Sequence, residues 1–184
     1  VTPRPPAPDP AEAVRVWDLA QRLLHWCLVA SVALAWWAGE SRLSLHLWAG
    51  YTVLAVVLVR AVWGFAGSPH ARFASFVHGP GTVLGYARAL LRGRAPRMLG
   101  HNPLGGWMIV ALLACLLVVC VSGILYTTDR FWGLEWLELT HRISACTLVG
   151  LVALHLCGVA VMSWRHRENL VAAMWSGRKR PANG

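Results

Sequence analysis

The sequence predicts an all-α integral membrane protein: a bundle of four spanning helices with both termini in the cytoplasm and a short amphipathic interfacial helix between the second and third spans. Three observations carry this reading. The 184 residues are 57% hydrophobic with positive mean hydropathy, which moves the chain from the soluble to the membrane class. Four apolar segments, 19–38, 44–62, 104–126 and 139–163, reach or approach the length that crosses hydrocarbon. The 17 Lys and Arg are also unevenly placed: with the N-terminus inside, only Arg42, Arg130 and Arg142 fall outside and the other 14 inside, so the positive-inside rule puts both ends in the cytoplasm. A net charge of +9 would point to nucleic acid in a soluble protein. Here its distribution is a topology signal, and no nucleic-acid partner is expected.

In chain order, residues 1–13 are proline-rich and read as a disordered cytoplasmic tail. The membrane domain is expected over 14–166 and a basic tail over 167–184. The first apolar stretch follows a polar start and carries His25 and two tryptophans, so it reads as a retained helix rather than a cleaved signal. Asp18 is its expected cap, Arg22 sits at headgroup level, and His25 lies about 9 to 10 Å from its start. Trp36 and Trp37 mark the far interface. After the turn GESRLS, the second helix carries His46 near its outer end. Gly50, one turn deeper on the same face, has no side chain and would admit a flat ring. Arg60 and Trp63 belong to the inner interface.

Residues 64–103 form the one long connection. Within it PGTVLGYARALLRG places Val83, Leu84, Ala87, Leu90 and Leu91 on one side, as in an interfacial helix. The third span has neither histidine nor charge, with Gly105 and Gly106 at one end and Ser122 and Gly123 at the other, where small residues allow close approach. The outer connection sets Asp129, Glu135 and Glu138 against Arg130 among Phe131, Trp132 and Trp136, suiting headgroups or a partner.

The fourth span holds His141 and His155, fourteen residues apart. That spacing advances a helix by about 21 Å and returns it to within roughly 40° of the same face. An imidazole in hydrocarbon needs a partner. Opposite helix directions bring His25 to the depth of His155, and His46 to the depth of His141. Zinc or copper would want three or four ligands at one depth, whereas these histidines come in twos, the ligation of low-spin b-type haem provided twice. The five cysteines, Cys27, Cys115, Cys120, Cys146 and Cys157, form no C-x-x-C-H attachment sequence. Two non-covalent b haems are therefore expected.

These residues resemble a known family, the bacterial di-haem cytochrome b561 proteins, four-helix membrane b-type cytochromes related to the cytochrome subunits of hydrogenases. The resemblance rests on RVWDLAQRLLHW at 15–26, His46 with Gly50, RAVWGFAGSPHARFASFVHGP at 60–80, GHNPLGGWM at 100–108 and HRISACTLVGLVALH at 141–155. It implies that His25 and His155 hold a cytoplasmic-side haem, and His46 and His141 a periplasmic-side haem. It also implies a bacterial inner-membrane location and electron transfer between membrane quinone and a redox partner, such as a cytochrome c or a dehydrogenase or hydrogenase. Two other readings stay open: a self-sufficient superoxide:quinone oxidoreductase, or a membrane anchor with structural haems. Candidate quinone residues are Arg22, His101 and Asn102 inside, and Glu40, Arg42 and Trp136 outside. Arg22 has a second expected duty, pairing with haem propionates.

Overall fold

The computed structural model describes residues 13–181; the proline-rich tail expected at 1–13 lies, but for Ala13, outside the described residues. Four long helices dominate: α1 (Leu19–Ala38), α2 (Leu43–Ala66), α5 (Pro103–Tyr126) and α6 (Glu135–His166), with two shorter ones in the connection, α3 (Phe73–Phe76) and α4 (Pro80–Leu91). The four long helices are long and apolar enough to cross a membrane. Beyond them the chain forms α7 (Leu170–Ser176), and two two-residue strands, β1 (Val14–Arg15) and β2 (Arg178–Lys179), pair antiparallel. That pairing holds the first and last described segments together at one end of the bundle, called here the terminal end.

Local chemistry sets the boundaries. The Asp18 carboxylate accepts from the Gln21 N–H at 2.7 Å, and Gly39 ends α1 at φ 48°, a left-handed value that favours glycine. Asn102 caps α5 through Gly105 N–H at 2.7 Å, with Pro103 in the first turn, where its missing donor costs nothing. Helix α6 runs four residues beyond the apolar run at its start. Glu135 and Glu138 stop the hydropathy there, but carboxylates in a first turn favour the helix.

Helix α1 packs on α2, α2 on α5, and α5 on α6. An apolar cluster of Val53, Val57, Leu116, Cys120 and Leu148, flanked by Leu28, Val32 and Val152, joins all four at mid-height. Leu148 lies seven residues from each of His141 and His155, and it is one of only two buried residues of α6. The stripe bearing the histidines thus faces inward, with an apolar layer between the two depths.

The basic segment after α6 is folded back as a cap on the terminal end. Val16 and Trp17 N–H groups donate to Gly177 O at 2.9 and 3.1 Å, and Lys179 Nζ sits over the Trp17 ring. Glu168 is buried, accepting from Arg180 N–H at 2.8 Å and pairing with Arg97 at 3.0 Å. Burial alone would raise the Glu168 carboxyl, but the Arg180 N–H and the Arg97 hydrogen bond and charge outweigh it and hold it below its usual value of 4.5. Its contribution is complete above the unfolded value and fades as pH falls through the lower folded one. The protection of α7 against hydrogen exchange, taken relative to the intrinsic rate at each pH, should therefore fall below pH 4.5 in the wild type. E168Q should exchange fast at neutral pH, by the loss of about 1.5 to 3 kcal/mol usual for bonds to a charged acceptor, and lose that acid dependence.

Candidate functional site

At the end opposite the termini, the His46 and His141 rings face each other across the bundle, centroids 6.0 Å apart and planes at 75°. Each imidazole is fixed through Nδ1: His46 donates to Ala35 O on α1 at 2.9 Å, and His141 to Val119 O on α5 at 2.9 Å. A carbonyl can only accept, so Nδ1 carries the proton and the Nε2 lone pair remains for a metal, the arrangement that orients ligating histidines. Iron about 2 Å from each nitrogen, the usual metal–imidazole length, separates two ring centroids by roughly 6 Å. The pair fits bis-imidazole ligation.

The surroundings fit a flat macrocycle as well. A Cβ at Gly50, one turn from His46, would meet nothing within 4 Å, while one at Gly123 would come within 2.8 Å of His141 Cε1. Gly50 therefore borders open space, and Gly123 makes room for the ligand ring itself. Neither α2 and α6 nor α1 and α6 pack closely backbone to backbone. These are the helix pairs that carry the facing histidines. Among the described residues no group of three or more His, Cys, Asp or Glu side chains converges, so ligation is available in pairs.

At the terminal end His25 on α1 and His155 on α6 are both half-buried, and Trp26 stands edge-on to His25 at 5.3 Å. Arg60 lies fourteen residues from His46 on α2, the spacing of the two α6 histidines. It is only 6% exposed, and its guanidinium donates to Ala71 O at 3.3 Å. A buried cation with so little compensation is poised for an anion such as a propionate. The sequence places Arg60 at the inner interface; its burial shows in addition that the side chain turns inward.

The remaining candidates divide. Arg22 reaches the cap, donating to Trp175 O, with its Nε buried and unpartnered. His101 is wedged between Trp17, 4.5 Å away, and Phe76, 5.1 Å away, and its Nδ1 is buried without a partner. Burial, then the charges of Lys179, Arg60, His155 and His25, push its pKa down to about 3. Asn102 is engaged as the α5 cap. At the other end Trp136 is exposed and Glu40 lies in a short 3-10 turn. The three outer cations are not gathered into one funnel. Arg42 lies over Trp37, Arg130 over Phe131, and Arg142 approaches Glu138 at 3.8 Å.

Comparison with known proteins gives one positive finding. A family model described as prokaryotic cytochrome b561 matches residues 16–177, which includes all four histidines of the two pairs. No curated protein and no solved structure matches the chain.

Proposed function

Because the chain belongs to the prokaryotic cytochrome b561 family, we propose that it is a di-haem cytochrome carrying electrons across the bacterial inner membrane between quinone and a redox partner protein, with both termini cytoplasmic. The observation that carries this reading is the His46–His141 pair, 6.0 Å apart with both Nδ1 groups engaged by carbonyls. His25 and His155 hold the second b haem at the terminal end. Bound between imidazoles, haem iron supplies the one-electron change.

The chain's own residues do the rest. Ala35 and Val119 keep each outer imidazole in the tautomer that ligates. The layer of Val53, Val57, Leu116, Cys120 and Leu148 excludes water between the two depths and offers no titratable carboxylate or amine along the way, so charge crosses without a proton relay. The open space beside Gly50 leaves room for a planar group, and Arg60 supplies a buried positive charge at the inner depth. Amphipathic α4 lies in the cytoplasmic interface. A quinone site at the terminal end is favoured by His101, whose buried Nδ1 lacks a partner between two aromatic walls.

The test is reduction and reoxidation of purified protein. Quinol is expected to reduce the haem absorption, and reoxidation is expected to stay slow until a redox protein such as a cytochrome c is added. Rapid reaction with superoxide and no need of a protein would establish the self-sufficient oxidoreductase instead, and no reduction by quinol would leave an anchor with structural haems. H101A should slow quinol reduction at least severalfold with both haem spectra intact, whereas E40Q should leave the rate unchanged. The reverse pattern would move the quinone to the opposite end.

A further inference from the structure

Where α6 ends, a cleft of about 540 Å³ opens between the chain at Gly93, Ala95 and Arg97 and the run Arg165, His166 and Arg167. Its charge is one-sided. Arg97 is consumed by Glu168 at 3.0 Å and by the Arg180 carbonyl, but the ion pairs of the described residues, Arg97–Glu168 and Arg142–Glu138, use neither Arg165 nor Arg167. Arg165 lies in the last turn of α6, where its charge also complements the helix dipole. Arg167 turns left-handed at φ 48°, and the Trp164 and Ser163 carbonyls already accept from Arg167 and Glu168 N–H groups.

Close in sequence to the lining residues stand two exposed apolar side chains. Trp164, the residue before Arg165, is 83% exposed, and Leu91, closing α4, is 88% exposed. Two guanidinium groups beside large apolar side chains at the end of a spanning helix match an amphiphile with an anionic head. We propose that this cleft binds the phosphodiester headgroup of an anionic phospholipid, with Arg165 and Arg167 on the phosphate and the acyl chains along Trp164 and Leu91. The site is separate from the histidine pairs and does not depend on the electron-transfer reading. A free phosphate offers the same oxygens to the arginines but nothing to the apolar flanks.

The experiment uses delipidated, haem-loaded protein in detergent, with thermal unfolding followed by tryptophan fluorescence. Phosphatidylglycerol should raise the midpoint by several degrees, phosphatidylcholine by less than half as much, and inorganic phosphate at matched ionic strength not at all. R165Q/R167Q should lose at least half of the phosphatidylglycerol response, and R42Q/R130Q, at the other end, should keep it. A95E places a carboxylate in the cleft without removing an arginine and should abolish the response, which covers the case of a double variant that folds poorly. Native mass spectrometry should show one fewer retained phosphatidylglycerol in A95E than in the wild type. An unchanged response in both cleft variants, or no response in the wild type, would overturn the site; an equal response to inorganic phosphate would overturn the lipid.

Discussion

H141A is expected to halve the haem content, leaving one b haem with unchanged spectrum and potential. The His141 ring is held by Val119 O at 6.0 Å from His46. Without it, His46 alone leaves iron five-coordinate or weakly held in a detergent-exposed space. The helix itself should survive, because alanine is the best helix former and position 141 is only half-buried. H46A should remove the same haem as H141A, while H25A and H155A should both remove the other. Redox titration of the visible spectrum, together with haem extraction, reads which component is lost. If H25A and H46A abolished the same component, the pairing by depth would be wrong.

G123L is expected to reproduce the haem loss of H141A with every histidine still present. A Cβ on Gly123 would stand 2.8 Å from His141 Cε1 and 3.0 Å from Nδ1, inside the range real contacts avoid, and the two further carbons and branch of leucine add to it. The ring has little freedom to yield, since Nδ1 is bound to Val119 O with the Ser122 hydroxyl at 3.4 Å. Overpacking at such a site ordinarily costs about 1 to 3 kcal/mol, and here the displaced group is the ligand. G50A gives the complementary result. The protein offers no atom within 4 Å of the new methyl, so haem-free protein should be no less stable, and by helix propensity up to about 1 kcal/mol more stable, yet occupancy of the His46–His141 site should fall because the methyl enters the space a macrocycle needs. Equal haem retention in G50A and wild type would remove Gly50 from the site.

The spans were legible because a bilayer demands long uninterrupted apolar runs. The first expected segment, 19–38, coincides with α1, and α2 and α5 begin within one residue of expectation. Asp18 and Asn102 were legible as caps because a short polar side chain before an apolar run has few other uses. Hydropathy failed at the ends of α6, where helix continues through Glu135, Glu138 and Arg165 although hydrocarbon does not. The folded cap was not legible at all. Trp17, Gly177, Glu168 and Lys179 meet through contacts between distant parts of the chain, and two-residue strands leave no periodic trace. Arg60 was legible as a cation at the inner end of α2 but not as a buried one: a lone arginine near a helix end reads as an interfacial anchor, and only its burial shows that it turns inward. The histidine pairs were visible as spacing, but the carbonyls of Ala35 and Val119 that fix their tautomer lie on other helices and carry no sequence mark.

We propose that two imidazole pairs at two depths each hold one non-covalent b haem. Pyridine haemochrome analysis of the purified wild-type protein, set against quantitative amino-acid analysis of the same sample, tests it most directly. Close to two haems per polypeptide are expected, all released by acidified acetone. A ratio near one, or haem that stays with the polypeptide after extraction, would contradict it.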